Sequence, residues 1–234
     1  MLDFARYTHL TFDCYGTLID WERGILAALR PVLDRHGIAL SDDELLERYG
    51  ELEAAAEAGA YRPYREILAT VLDGFGARLG FAPSAAERAA FADSVGDWPT
   101  FPDTVEALRA LASRYKLVIL SNIDDDLFAR SAQRLQTDFA DVITAQQIGS
   151  YKPNPRNFRF ALNRLGVPTD RVLHVAQSLF HDIVPAKAFG LTTVWVNRRH
   201  DHPGSGATPA ATATPDLEVP DLRTLAQLAA QAAE

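Results

Sequence analysis

The sequence predicts an α/β fold, a doubly wound parallel sheet (Rossmann-like) with an all-helical insertion after its first strand. Residues 7–13 form a short aromatic and β-branched run that breaks at Gly16, the mark of a buried strand ending in a tight turn. Residues 21–98 carry almost no strand signal, and their apolar residues recur at helical spacing. From Pro99 onward short β-branched runs alternate with helical ones, as in a parallel sheet covered by helices. The expected organisation is a discontinuous core, residues 1–20 and 99–234, with a helical cap over residues 21–98.

Within the cap, Ile25, Leu26, Leu29, Val32 and Leu33 define a first helix, and Leu45, Leu46 and Tyr49 a second. Pro31 falls inside the first pattern, where its missing N–H and its ring predict a kink or a fresh helix start. Tyr64, Ile67, Leu68, Val71, Leu72 and Phe75 define a further helix ending between Gly74 and Gly80. The core strands are expected at 116–120, 142–144, 172–175, 193–196 and 217–219. Residues 203–215, rich in Pro, Gly, Ala and Thr, read as a long surface loop.

The composition, 47% hydrophobic and 23% charged, is that of an ordinary globular chain and excludes wholesale disorder. The net charge of −8 excludes nucleic acid and anionic lipid as natural partners in the absence of a basic cluster, and none is visible. The lone Cys14 cannot form an internal disulfide, and the first ten residues carry Asp3 and Arg6 where a signal peptide needs an apolar run. The expected location is the cytoplasm. His200-Asp201-His202 reads as a solvated loop.

Ligands of open parallel sheets bind outside the carboxyl ends of the strands, so the residues just after each strand are the candidates. Asp13 ends the first strand and is either a turn former or an oxygen nucleophile that divides one substitution into two easier steps. Ser121 and Asn122 follow the second core strand, as a cap for the next helix or as neutral donors for a small anion. In GSYKPNP the prolines flanking Asn154 stiffen a loop that aims Lys152 at a fixed point, where an ammonium keeps a neighbouring carboxylate ionised. Gln177, Ser178, His181 and Asp182 follow a later strand, with Asp182 as helix cap or as the group that serves a hydrolytic water. Trp21, Tyr49, Tyr61 and Tyr64 are expected to pack in the cap interior.

Those segments, in this order and with a helical insertion after the first, resemble the haloacid dehalogenase superfamily. FDCYGTLIDWE looks most like its type II, L-2-haloacid dehalogenase branch, and the resemblance spans the whole chain. It implies that Asp13 attacks the α-carbon of a small anionic 2-haloacid and releases halide. Thr17 and Lys152 would hold the nucleophile, Tyr15, Ser121 and Asn122 would contact substrate or halide, and Asp182 would serve the water, with Gln177, Ser178 and His181 beside it. A cap arginine, Arg48 or else Arg62 or Arg65, would assist halide departure, and the cap would support a homodimer.

Superfamily phosphatases carry an acid two residues after the nucleophile and another at the start of the last motif. This chain has Tyr15 and Gln177 there. A halide departs without a proton donor whereas an alkoxide does not, so Tyr15 fits carbon–halogen cleavage, and the missing acid weakens a magnesium site. No metal and no cofactor are expected. Phe158 and Leu179 also depart from the dehalogenase pattern. The same wording resembles family members that open a strained ring, such as azetidine-2-carboxylate hydrolase. A magnesium-dependent phosphatase and a silent binding protein are the remaining readings.

Overall fold

A computed structural model describes residues 2–231; Met1 and residues 232–234, which the expected core segments include, lie outside the described residues. The sheet strands are β1 (His9–Phe12), β2 (Lys116–Ser121), β3 (Asp141–Thr144), β4 (Val172–Ala176), β5 (Thr192–Val196) and β6 (Leu217–Val219). All neighbours pair in parallel, in the order β3-β2-β1-β4-β5-β6. Every strand expected from β-branched content is present. Residues of β1 and β4 are buried throughout, as a central strand covered on both faces requires.

The insertion is helical: α1 (Trp21–Arg35), α2 (Asp42–Glu57), α3 (Tyr64–Leu79) and α4 (Ala85–Asp93). Ser41 and Ser84 start α2 and α4 with capping boxes closed by Glu44 and Glu87. Pro31 neither ends α1 nor starts a new helix; α1 runs on to Arg35. Its apolar face, Ile25, Leu29, Val32 and Leu33, is buried, and that packing holds the turn despite the lost hydrogen bond.

The core helices are α5 (Thr104–Ala112), α6 (Asp125–Leu135), α7 (Ala145–Ile148), α8 (Pro155–Leu165), α9 (Val184–Ala188) and α10 (Leu222–Gln231). Pro155, expected in an extended loop, is instead the first residue of α8, with Asn154 as its cap. The 203–215 segment is not purely a surface loop. Ala207 and Thr208 are buried, and a Cβ on Gly50 of α2 would meet the Ala207 carbonyl oxygen at 2.7 Å. The cap therefore closes on this segment as well as on the sheet, and Ala207 N–H donates to Glu22 at 3.0 Å.

Gly24 of α1 sits against the indole of Trp98, where a Cβ would lie 2.2 Å from Cγ. Trp98 in turn meets Tyr15 edge to face at 5.9 Å. Gly24→Ala forces the indole to move in a filled interior, and is expected to destabilise the fold by about 1–3 kcal/mol despite alanine's better helix propensity. A lower urea midpoint with unchanged slope checks it; an unchanged or higher midpoint contradicts it.

Candidate active site

The sheet order reverses between β1 and β4, so their carboxyl ends open the crevice in which such sheets bind ligands. Asp13 extends β1 by one hydrogen bond, its N–H to the Val175 carbonyl at 3.1 Å, and then the chain turns. Gly16, at φ +93°, makes that turn, and a Cβ there would press on Trp21 at 2.9 Å and Gln177 at 3.0 Å. Arg198 clamps the turn from outside, donating to the Thr17 carbonyl at 2.9 Å and to Asp103 at 2.8 Å.

The Asp13 carboxylate is fixed at both oxygens. Thr17 Oγ1 donates to Oδ2 at 2.7 Å and Lys152 Nζ to Oδ1 at 2.9 Å. Lys152 also donates to Asp182 Oδ1 at 2.6 Å and to the Leu120 carbonyl at 2.9 Å, so all three of its N–H donors are engaged. The ammonium thus lies between two buried carboxylates. Burial pushes the Asp13 carboxyl up, with Asp182 adding to it against the pull of Lys152 and Thr17. Burial acts the same way on Asp182, but there Lys152 and His174 prevail and hold it below the usual carboxylate range. Burial works against the Lys152 charge, and the two carboxylates outweigh it and raise it.

Asn122 does not cap α6, whose first position follows Asp124. Its amide instead grips the Lys152 backbone from both sides, accepting from N–H at 2.7 Å and donating to the carbonyl at 2.9 Å. Asp124 is buried and holds the cap, accepting from Tyr64 N–H at 2.7 Å and Tyr61 Oη at 3.0 Å. Past β4, Ser178 Oγ accepts from the His181 backbone at 2.9 Å, and the wide π-helical turn Leu179–Ile183 presents both His181 and Asp182 to the crevice.

Asp13, Tyr15, Ser121, Asn122, Lys152, Ser178, His181 and Asp182 surround one cavity of about 30 Å³, room for one or two waters. Three groups on its wall are buried without a hydrogen-bond partner among the described residues: Ser121 Oγ, His181 Nε2 and Asp182 Oδ2. Of the other expected residues, Thr17 acts from behind Asp13. Gln177 is turned away to an outer cavity, and only its backbone N–H serves the site, donating to Thr17 at 2.9 Å. Tyr15 lines the cavity with its hydroxyl bonded to Ser131 at 2.9 Å, and burial holds that phenol neutral.

None of the three cap arginines reaches the cavity. Arg62 is bonded to Thr70 and the Ala56 carbonyl, and Arg65 is paired with Asp93 and Asp126. Arg48 lies on α2 about 160° round the helix from the face that meets the cavity, which is marked by Glu53 and Glu57. These two carboxyl groups, with Thr208, are the lining residues that sequence reasoning missed. A Glu pair at i and i+4 reads as a solvated face, and only the cap's position over the sheet shows otherwise. Trp21 and Tyr64, expected as packing alone, also line the cavity, while Tyr49 is fully buried behind them.

The residues do not fit a magnesium site. Both Asp13 oxygens and Asp182 Oδ1 are already held by Lys152 and Thr17, Tyr15 is a neutral phenol, and Gln177 faces elsewhere, so Asp182 Oδ2 alone is left as a carboxylate ligand of that set. Among the described residues no group of three or more His, Cys, Asp or Glu is arranged to hold a metal ion.

A family model for haloacid dehalogenase-like hydrolases matches residues 7–190. Sheet order, inserted cap and this match define the class as a capped α/β hydrolase. The chain belongs to the haloacid dehalogenase-like hydrolase family. It is 30% identical over 195 residues to (S)-2-haloacid dehalogenase 1 of Pseudomonas sp. strain CBS-3, covering 80% of this chain and 83% of that one. It is 32% identical over 192 residues to phosphoserine phosphatase of Thermus thermophilus, covering 77% and 71%. Among solved structures, the L-2-haloacid dehalogenase of Xanthobacter autotrophicus with chloropropionic acid covalently bound shares the fold. Its TM-score is 0.78 at 23% identity, with 95% of this chain and 98% of that one covered.

His181 gives the site a measurable signature. Burial, helped by Lys152 and opposed by Asp182, pushes its imidazole down from 6.5 to about 4. Between those values the unfolded chain binds a proton that the fold does not, so stability is lost as pH falls through the window. At about 1.4 kcal/mol per pH unit the full loss is about 3 kcal/mol. Urea unfolding of wild type and His181→Gln from pH 7 to 4 checks it: the variant should lose much of the slope, and parallel curves would contradict it.

Proposed function

We propose that this chain hydrolyses the carbon–halogen bond of small 2-haloacids through an aspartyl ester on Asp13, without a metal. The observation that carries the reading is the Asp13 carboxylate held at both oxygens, by Lys152 and Thr17, at the sheet's switch point beneath the cap. The relatives named dehalogenases support the same reaction. Residues 21–98 serve as the cap and residues 1–20 and 99–234 as the core. The lone buried thiol of Cys14 supports a reducing, cytoplasmic setting.

In the first step a carboxylate oxygen of Asp13 bonds to the substrate α-carbon, and the carbon–halogen bond breaks with its electron pair leaving on the halide. Lys152 keeps the nucleophile ionised and oriented, with no donor left for the substrate. The free Ser121 hydroxyl and the Tyr15 and Trp21 edges are the neutral groups available to substrate and halide. In the second step water adds to the ester carbonyl. Asp182 Oδ2 orients that water, and neutral His181, donating Nδ1–H to Ser178 Oγ, takes its proton at Nε2. Collapse, with the proton held by His181 passing to the departing alkoxide oxygen, returns Asp13 and frees the 2-hydroxyacid.

A phosphate ester would need an acid to protonate its alkoxide. Tyr15, bonded to Ser131 and held neutral well above its ordinary range, is no replacement for a carboxylic acid. The expected result is halide release from chloroacetate and 2-chloropropionate that EDTA does not reduce. Asp13→Asn should lower it by more than about 10³-fold while keeping the fold. Undiminished release in that variant, or magnesium-dependent phosphate release with silence on every haloacid, would overturn the reading.

A further inference from the structure

The cap face of the cavity is acidic. Glu53 and Glu57 lie one turn apart on α2 and both line it. Glu53 is buried, and its Oε1 accepts from Tyr49 Oη at 2.7 Å and from Tyr64 Oη, while its Oε2 takes no hydrogen bond from any described residue. Glu57 Oε2 accepts from Asn122 Nδ2 at 3.1 Å. With Asp13 and Asp182, four carboxyl groups face the cavity, and its one cationic wall residue, Lys152, is engaged by Asp13, Asp182 and Leu120. Neither cap glutamate has a salt-bridge partner among the described residues.

Such a wall is costly unless a cation enters. Burial first, then the neighbouring Asp13 charge, pushes Glu53 up to about 7 although two phenols donate to it. Glu57 is raised well above its ordinary range by burial and by Glu53. The phenol donors point at an oxygen and therefore support the carboxylate form. Tyr15, Trp21 and Tyr64 share the wall, and aromatic side chains beside carboxylates are a favourable setting for an ammonium group. Ser121 Oγ and His181 Nε2, both buried and unpartnered, lie on the same cavity, which a polar ligand completes.

We propose that Glu53 and Glu57 form a subsite for a protonated nitrogen, so that the preferred substrate of Asp13 is a small carboxylic acid that also carries an amine. This rests on the carboxylate-nucleophile reading and narrows its substrate class. Glu57 also lines an outer cavity shared with Lys152, His181, Tyr61 and Tyr151, so an entering amine meets it first. The nitrogen is either a substituent beside a carbon–halogen bond or the leaving atom of a strained ring. In the ring case the Asp13 oxygen bonds to carbon, the carbon–nitrogen pair passes to the already protonated nitrogen, and the freed amine remains tethered to the ester.

The test compares 2-chlorobutyrate, 4-amino-2-chlorobutyrate and azetidine-2-carboxylate, following halide release or the ring-opened amino acid. The variants are Glu57→Gln, Glu57→Asp and Glu53→Gln. The expected result is a KM at least about 10-fold lower for an amine-bearing probe than for 2-chlorobutyrate, the size of one charge-assisted contact. Glu57→Gln should raise the amine probe's KM about 10-fold and leave that of plain 2-chlorobutyrate little changed, while Glu57→Asp keeps the amine preference. That lower KM on either amine probe, whichever the source of nitrogen, fulfils the expectation. Preference for 2-chlorobutyrate with Gln variants that shift both KM values alike overturns the subsite and leaves the dehalogenase reading standing. Silence on all three probes, with chloroacetate also unhydrolysed, overturns both.

Discussion

The arrangement depends on one ammonium. Lys152 Nζ lies 2.9 Å from Asp13 and 2.6 Å from Asp182, all three side chains almost wholly buried. Removing one partner of such a cluster leaves an uncompensated buried charge, a penalty of about 3–5 kcal/mol, so the geometry is tightly specified. The elements that converge on it are the ends of β1, β2 and β4 and the loop before α8. Asn122 fixes the backbone of Lys152, and His174 fixes the second oxygen pair, with Nε2 3.1 Å from Asp182 Oδ1 and Nδ1 2.9 Å from Thr11 Oγ1. The Asp13 carboxylate is thereby oriented before any ligand arrives, and orientation set in advance costs nothing at the moment of reaction.

Much of the core was legible in the sequence because its signals are local. Residues 7–13, 116–120 and 172–175 are β-branched runs bounded by turn formers, and each became a strand of the parallel sheet. Asp13, Lys152 and Asp182 were legible from equally local signals: the strand end before Asp13, the prolines that stiffen the Lys152 loop and the strand-to-helix transition that carries Asp182. The cap was legible as helices and not as a surface. Helical periodicity told which residues face the interior, but Arg48, Glu53 and Glu57 lie within three turns of α2, and only tertiary placement decides which of them meets the cavity. Asn122 is a related case: a polar residue after a strand caps the next helix or reaches across the chain, and its partner 30 residues away is invisible to local reasoning.

That division has a physical basis. The carboxylate and its ammonium can serve more than one leaving group, and the chain's similarity to relatives named dehalogenase and phosphatase alike fits a shared core. What separates reactions is the small set of groups that face the leaving atom. The groups that line the cavity around Asp13 include a neutral phenol at Tyr15, an unpartnered Ser121 hydroxyl and the cap carboxyl groups, with Gln177 turned outward. Substitutions on the cap side change the company of Asp13 without touching the cluster that orients it.

The chain's overall charge bears on the same question. A net charge of −8 disfavours the approach of a simple anion, but at physiological ionic strength that field decays over about 8 Å, so the surface sets encounter and not selectivity. Selectivity is decided inside, where screening is weak and where four carboxyl groups face one lysine with no free donor. A plain haloacid brings its negative charge in beside Asp13 and Asp182 and can be met only by neutral donors such as Ser121. A zwitterion of the same size brings no net charge to the acidic surface, and inside it offers its ammonium to Glu53 and Glu57 while its carboxylate keeps the neutral donors. The electrostatics of the cap and of the whole surface therefore favour the same kind of molecule.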